Sequence, residues 1–208
     1  MSRDTGPQCK RCRREGMQLF LKGSRCHTIK CGLRKREYPP GEHSWRRSKF
    51  SEYGLQLREK QKVKRYYGVT EKQFRNTFAR AVRMRGNTGE NLLVLLESRL
   101  DNVVARLGFA LNRRHARQLV SHGNVCVNGK KLTIPSYRVR KDDVISPAAK
   151  NKIKEIARMS LDAVKDNEVP SWLGVDIEQL KGTVLDKAKR EEVPIAIQEQ
   201  LVVEFCSK

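Results

Sequence analysis

Positive charge is concentrated in the first 150 residues of this 208-residue chain. They carry 35 Lys and Arg against 12 Asp and Glu, whereas the last 58 residues carry 9 against 11. Repulsion at this density opposes compact packing, so the fold must pair the charges internally or share them with a polyanion. Nucleic acid is the polyanion that the charge favours, because each neutralised phosphate releases counterions. The near-neutral tail is expected to contact protein more than RNA.

The same charge also fits a solvated basic surface or a protein that lies on a membrane surface. A membrane-surface protein needs an amphipathic helix with large apolar side chains opposite lysines, and the sequence offers no clear candidate. No apolar run approaches 18 residues, so no transmembrane helix is predicted. The N-terminus lacks the apolar centre of a signal peptide, so export is not indicated.

Four of the six cysteines lie within 23 residues near the N-terminus. They form a C-x2-C pair and, thirteen residues later, a C-x4-C pair. Such paired spacings are typical of zinc knuckles and ribbons, in which two tight turns place four thiolates around one cation. The sequence therefore predicts a structural Zn²⁺ site, with a [4Fe–4S] cluster as the alternative cofactor. The predicted ligands are Cys9, Cys12, Cys26 and Cys31.

Disulfide and redox roles for these cysteines have less support. A disulfide needs an oxidising compartment, and a thioredoxin-like C-x-x-C should lie between a strand and a helix of a βαβ unit, a pattern absent around Cys9. A cluster without metal is the third alternative. His27 is a weaker fifth candidate ligand, interpreted as a bystander or an RNA contact. Cys126 and Cys206 are predicted to be buried strand residues.

Apolar periodicity predicts three helices, over residues 55–68, 70–85 and 90–107. Thr70 is the expected N-cap of the second. The third has the clearest stripe, with a period near 3.6 residues, and is expected to form the centre of the core. The stripe consists of Leu92, Leu93, Leu96, Leu100, Val103, Val104 and Leu107.

A compact basic unit is predicted after this helix. Asn112 should cap a short helix, and Asn128-Gly129 is typical of a type I′ hairpin turn. Three arginines of the helix are expected to share an outer face beside two lysines of the hairpin, making a cleft for a sugar–phosphate backbone. Further strands are predicted at Tyr137–Val139 and Val144–Ile145, and a C-terminal strand in "QLVVEFCSK".

The side chains predicted to contact RNA extend over the first 131 residues. Three lie on an expected loop between Trp45 and Phe50, an arginine–aromatic mixture that suits stacking and phosphate contact. The full set is Lys10, Arg11, Arg13, Arg14, Arg46, Arg47, Lys49, Lys60, Lys62, Lys64, Arg65, Arg75, Arg80, Arg83, Arg85, Asn87, Arg113, Arg114, His115, Arg117, Ser121, His122, Lys130 and Lys131.

The stretch "ESRLDNVVARLGFALNRRHARQLVSHGNVCVNGKKLTIPSYRVRKDDVIS" resembles the small RNA-binding unit named after ribosomal protein S-four. "YGLQLREKQKVKRYYGVTEKQFRNTF", "GNTGENLL" and "LVVEFCSK" extend the resemblance to the bacterial or organellar S-four family over nearly the whole chain. The chain resembles the cysteine-bearing type of that family, for which both zinc and iron–sulfur occupancy are conceivable.

The resemblance implies a primary binder of the five-prime domain of small-subunit ribosomal RNA that nucleates assembly of the subunit body. It also implies contacts with ribosomal proteins S-three, S-five and S-twelve, a part in decoding accuracy, and a cytoplasmic or organellar ribosomal location. By the same resemblance, the loop with Arg46, Arg47 and Lys49 matches a position that lines the messenger RNA entry channel.

No enzymatic motif is found. The chain has no phosphate-cradling glycine loop, and its four histidines have no spacing partner for catalysis. We therefore expect a structural RNA-binding protein and not an RNA-modifying enzyme. A free RNA-binding translational repressor is the alternative function.

The predicted fold is α+β, a helical domain with the N-terminal cysteine knot plus a compact two-helix and hairpin domain. The predicted parts are a metal knot and basic arm (1–50), a helical RNA-binding part (51–96), the S-four-type domain (97–160) and a C-terminal helix and strand region that packs back on the helical part (161–208).

Overall fold

The computed structural model describes residues 5–44, 51–163 and 169–207. Its chain forms two compact units, residues 1–92 with 195–208 (unit 1) and residues 93–194 (unit 2). The fold is a mixture of helices and one five-stranded sheet, as the α+β prediction expected. None of the described helices combines the length and the apolar character that crossing a membrane requires.

Unit 1 is helical in its described parts. Its helices are α1 (Gln8–Glu15), α2 (Gly32–Lys35), α3 (Glu52–Tyr66), α4 (Glu71–Val82), the start of α5 (Thr88–Glu97) and the C-terminal helix, here α9 (Glu199–Ser207). Thr70 caps α4 as predicted, since its hydroxyl accepts from the Gln73 N–H at 3.5 Å. Phe74 and Ala81 are fully buried in the core of this unit, whereas Val82, the last residue of the helix, is 54% exposed.

Unit 2 combines helices with the sheet. After α5 come α6 (Leu100–Arg106), α7 (Arg113–Ser121), β1 (Val125–Val127), β2 (Lys130–Lys131), β3 (Val144–Pro147), α8 (Asn151–Ala163), β4 (Leu173–Asp176), β5 (Lys181–Val184) and a 3₁₀ turn (Arg190–Glu192). The strand order is β2-β1-β3-β5-β4, and every neighbouring pair is antiparallel.

The predicted leucine–valine stripe is buried throughout. All seven of its members are at most 1% exposed. Four of them pack in the core of unit 2 with α7, the inner faces of β1 and β3, and Trp172. The expectation that this stripe forms the centre of the core is confirmed.

The stripe does not lie on one continuous helix, so that prediction is wrong in detail. At Arg99 the backbone is extended, with φ −71° and ψ 138°. The Leu100 N–H donates to the Tyr137 carbonyl at 2.8 Å, and the Val139 N–H donates to the Ser98 carbonyl at 2.9 Å. Strand-like pairing of Arg99 with Arg138 therefore replaces the helical bonds and separates α5 from α6. Tyr137 and Val139 contribute to this bridge and not to a strand of the sheet.

The C-terminal segment predicted as a strand is a helix, α9. Its two adjacent valines suggested a strand, but Val202 is fully buried on one face of a helix that packs against α3. Glu204 accepts from the Gln56 amide at 3.0 Å, and Lys60 lies over the Phe205 ring, 4.9 Å from its centroid. Cys126 and Cys206, predicted to be buried, are half-buried, and Cys206 lies on this helix.

The hairpin prediction is confirmed. Asn128 and Gly129 both have positive φ, 50° and 76°, which a type I′ turn requires. The Asn128 side chain ties the turn to the next strand, since its Oδ1 accepts from the Val144 N–H at 2.8 Å and its Nδ2 donates to Asp143 at 2.8 Å.

Candidate nucleic-acid interface

Helix α7 begins where the sequence predicted. The Asn112 side chain accepts from the His115 N–H at 2.9 Å and caps the helix. No acidic residue lies in its first turn, so the arginines there oppose the positive end of the helix dipole. Residues of α6 partly offset this unfavourable interaction, because Asn102 accepts a hydrogen bond from Arg113 in the first turn and Asp101 accepts one from Arg117 one turn later.

Arg113 and Arg117 are anchored inside unit 2. Arg113 Nε donates to Asn102 Oδ1 at 2.6 Å, and Arg117 donates to Asp101 Oδ2 at 3.4 Å. The Arg117 side chain is only 11% exposed. The prediction that Arg113, Arg114 and Arg117 share one outer face is therefore wrong, because Arg117 lies against α6.

The anchoring residues belong to a buried polar network. Asp101 also accepts two hydrogen bonds from Arg99, at 3.0 and 2.7 Å. Glu97, 1% exposed, accepts from Asn102 Nδ2 at 2.7 Å and from Arg106 Nε at 3.1 Å. These bonds orient the Asn102 amide so that its oxygen faces Arg113. The network holds the first turn of α7 in place on α6.

The outer face of α7 carries Arg114, Gln118 and Ser121, which are exposed at helical spacing, with His122 following. The hairpin lies beside the end of this helix. A Cβ added to Gly123 would stand 2.0 Å from Lys131 Cε, so the lysine stem crosses directly over that glycine. Lys131 therefore lies at the C-terminal end of α7, whereas the exposed Arg114 lies in its first turn, so the predicted cleft between helix arginines and hairpin lysines stays a prediction.

His115 is half-buried and is placed to be neutral. Its Nδ1 accepts from the Leu111 N–H at 3.4 Å, and burial lowers the pKa of the imidazole. A neutral imidazole gives no charge attraction to phosphate, so His115 would contribute to an RNA contact only through hydrogen bonding.

In unit 1, three of the predicted RNA-contacting cations surround Glu71. Lys60, which is 5% exposed, donates to Glu71 Oε1, as does Arg75 at 3.2 Å, and Lys64 reaches Oε2 at 3.2 Å. Partial burial alone would raise the pKa of Glu71, but the hydrogen bonds from these cations outweigh it and lower that pKa to about 2.

The other predicted cations of α3 also have acidic partners. Arg65 binds Glu15 of α1, whose side chain is 1% exposed, and Arg58, which was outside the predicted set, binds the same carboxylate at 3.4 Å. Lys62 binds Glu59 one turn away. The charged face of α3 is therefore largely used within unit 1, where it attaches α1 and α4 to α3.

Two arginines of the N-terminal part with the four clustered cysteines (residues 1–50, here the cysteine-rich arm) donate hydrogen bonds to backbone carbonyls of the same part. Arg13 donates to the Tyr38 carbonyl at 3.0 Å and lies 4.8 Å from the centroid of the Tyr38 ring. Arg14 donates to the Pro40 carbonyl at 2.9 Å, and Arg11 donates to the Gln8 side chain at 3.1 Å.

Asn87 caps the start of α5, accepting from the Gly89 N–H at 2.9 Å.

The remaining predicted cations are exposed, and the part of the chain that the structure describes offers their side chains no hydrogen bond or ion pair. They are Lys10, Arg80, Arg83, Arg85, Arg114, Lys130 and Lys131. Gln118 joins the exposed face of α7 although the sequence-based set omitted it, and its i, i+4 spacing from Arg114 was the available signal. Arg46, Arg47 and Lys49 lie outside the described residues.

The four clustered cysteines line one cavity, together with Gln8, Leu21, Lys22, Arg25, Gly32 and Leu33. Cys9 and Cys12 lie one turn apart on α1 and not on the tight turn that the spacing suggested. Cys26 ends a 3₁₀ turn (Gly23–Cys26), and Cys31 precedes α2. A Cβ added to Gly32 would stand 2.7 Å from Cys9 Cβ, so only glycine lets α2 approach α1 this closely.

Polar N–H groups point at these sulfur atoms. The Lys22 N–H donates to Cys26 Sγ at 3.4 Å, and the Gln18 amide donates to Cys31 Sγ at 3.7 Å. Burial raises the pKa of the Cys12 and Cys26 thiols. Burial also acts to raise the pKa of Cys31, but the N–H groups of Arg34 and Leu33 outweigh it and lower that pKa. Within the described residues, no three Cys, His, Asp or Glu side chains stand in the arrangement of a formed metal site.

Comparisons with known proteins cover the full chain. Residues 3–97 match the family model "Ribosomal protein S4/S9 N-terminal domain", and residues 98–145 match the "S4 domain". The chain is 56% identical to "Small ribosomal subunit protein uS4" of Thermodesulfovibrio yellowstonii over 208 residues, covering all of both chains. It is 54% identical to the protein of that name in Geotalea daltonii and 51% identical to that in Thermus thermophilus, again with both chains covered completely.

Proposed function

The chain belongs to the uS4 family of small ribosomal subunit proteins, and we propose that it is a structural protein of that subunit which binds ribosomal RNA without catalysing a reaction. The observation that supports RNA binding is the exposed cationic set on each unit, above all Arg114 of α7 and Lys130 and Lys131 of the hairpin. These side chains have no acidic partner among the described residues, so their charge is available to phosphates.

In more detail, we propose that the RNA is the five-prime domain of small-subunit ribosomal RNA and that binding nucleates assembly of the subunit body. The proposed protein partners are S-three, S-five and S-twelve, with a contribution to decoding accuracy. The segment with Arg46, Arg47 and Lys49 is proposed to face messenger RNA at its entry channel. The ribosome in the cytoplasm, or its organellar equivalent, is the proposed location.

Filter binding of the full chain to a five-prime domain transcript tests the interface. Because Arg114 is exposed, Arg114→Ala should weaken binding and reduce the salt slope by about one, without loss of stability. Lys154→Ala, which removes an exposed cation of α8 outside the predicted set, is the matched control and should bind as wild type. An affinity that does not fall with salt would contradict phosphate binding.

Sedimentation separates this role from that of a free translational repressor. A ribosomal protein should travel with the small subunit in a lysate gradient, and a repressor should stay near the top. Most of the protein lying off the subunit would refute the ribosomal role.

We further propose that Cys9, Cys12, Cys26 and Cys31 hold a structural metal, Zn²⁺ or alternatively a [4Fe–4S] cluster. The support is the shared cavity of the four thiols and the N–H groups directed at their sulfur atoms. Bound there, the metal would cross-link α1 to the segment from Cys26 to α2 and so stabilise the arm. Elemental analysis of protein purified without oxygen distinguishes zinc from iron, and absence of both would refute the site.

A further inference from the structure

The cysteine-rich arm presents an aromatic surface that neither the predicted interface nor the cysteine cavity uses. The rings of Phe20 and His27 stack with their centroids 5.1 Å apart and their planes 29° from parallel. Phe20 is 40% exposed, and His27 is exposed as well. An exposed, ordered pair of rings offers a flat π-face to solvent.

The backbone holds Phe20 outward at a cost in strain. Its φ is +50°, in the left-handed region that a bulky side chain rarely occupies. Both neighbours point inward, since Leu19 is fully buried and Leu21 is 7% exposed. The two buried leucines therefore fix the segment and leave Phe20 no inward position. Strain of this kind clusters at functional sites, which makes an exposed strained phenylalanine a candidate binding residue.

The charge around the ring pair selects the chemistry of the ligand. Residues 16–36 contain six Lys and Arg and no Asp or Glu. Lys22, Arg25 and Lys30 are exposed close to the rings in sequence. A surface that combines aromatic faces with cations and lacks acids suits a nucleobase stacked on the ring with its phosphates near the cations.

We propose that the Phe20–His27 pair is a stacking platform for an unpaired base of RNA. The inference rests on the proposed RNA-binding function and adds to it a site where an unpaired nucleotide is recognised. Phe20 supplies the ring face, His27 supports it from the other side, and the neighbouring cations attract the flanking phosphates. Stacking tolerates any base, so this contact adds affinity and demands a single-stranded or bulged nucleotide.

Substitution at Phe20 tests the platform with the full chain and the five-prime domain transcript. Phe20→Leu should lower affinity about 5-fold to 160-fold, the range found for loss of one base–aromatic stack. Phe20→Tyr keeps the ring and should bind as wild type. Ile29→Ala, which removes an 83% exposed apolar side chain without a ring, is the matched control. The salt slope of Phe20→Leu should equal that of wild type, because no phosphate contact is lost.

Zero-length ultraviolet crosslinking of the wild-type complex gives a second measurement that needs no substitution. Mass spectrometry should find a nucleotide attached to Phe20 or His27. If the wild type binds RNA and Phe20→Leu binds it equally well, the platform is overturned but the proposed function is not. The same holds if RNA crosslinks appear only elsewhere in the chain. Crosslinks from Phe20 to protein in purified subunits would also overturn it. Absence of RNA binding by the wild type would instead overturn the proposed function, and the platform with it.

Discussion

Asp101 is the buried counter-charge that holds α7 on α6, and its removal gives a prediction of large magnitude. The side chain is 5% exposed and accepts from Arg99 and Arg117, themselves 5% and 11% exposed. Asp101→Asn keeps the shape but leaves two buried guanidinium groups without their carboxylate. Breaking a buried pair by removing one partner costs about 3–5 kcal/mol, because the remaining charge stays desolvated.

Urea denaturation measures this loss. Trp172, 2% exposed in the core of unit 2, reports unfolding by its fluorescence, and a Trp45→Phe background removes the other tryptophan. For a unit of this size the midpoint should fall by about 2 M urea. The control is Asp142→Asn, an exposed aspartate of the same unit at φ 68°, which asparagine tolerates. A free energy of unfolding within about 0.5 kcal/mol of wild type for Asp101→Asn would refute the reasoning.

Three further outcomes are expected. The pKa of Glu71, about 2, lies below its ordinary value, so the stability that its carboxylate gives the fold is complete above about pH 4.5 and is lost as the pH falls towards 2. In urea denaturation, Glu71→Gln should lower the free energy of unfolding by about 1 kcal/mol at pH 7, a figure reduced because the side chain is 37% exposed, and should change it little at pH 2. Gly182→Ala should destabilise unit 2 by about 1–3 kcal/mol, because its Cβ would stand 2.4 Å from Leu107 Cδ1, and Leu107→Val should restore part of the loss in a double-mutant cycle. If the proposed cysteine site holds Zn²⁺, its affinity should rise between about pH 6 and 8, because burial raises the pKa of Cys12 and Cys26 and their protons must leave on binding. A chelator competition with no pH dependence would contradict thiolate ligation.

Local features of this fold could be predicted from the sequence because the signals are local. Thr70 and Asn112 cap their helices, and Asn128-Gly129 forms its turn, through bonds within a few residues. The residues of the stripe from Leu92 to Leu107 are buried because their helical spacing places them on the buried faces of α5 and α6. The break at Arg99 depends on pairing with Arg138, far along the chain, and no local pattern indicates it.

The C-terminal helix shows how tertiary packing overrides a local preference. "LVVEF" contains two β-branched residues and an aromatic one, and propensity alone favours a strand. The segment is helical because Val202 and Phe205 meet α3, where Gln56 and Lys60 provide partners for Glu204 and Phe205. Packing of this kind decides whether a short apolar segment forms a helix or a strand, so the sequence of the segment alone does not distinguish the two.

Long-range pairing decides which cations are available to RNA, although it leaves the basic character of the chain unchanged. Glu15 and Arg65 are 50 residues apart, and Asp101 and Arg117 are 16 apart, so the sequence does not reveal these pairs. Pairing removes individual cations from the candidate interface but leaves the net charge at +21, since each pair cancels one charge of each sign. Part of the excess lies on cations that share one acid, as three do at Glu71, and part on exposed cations whose side chains have no partner among the described residues, such as Arg80, Arg114 and Lys130. RNA affinity should therefore depend on these exposed cations, and stability on the paired ones.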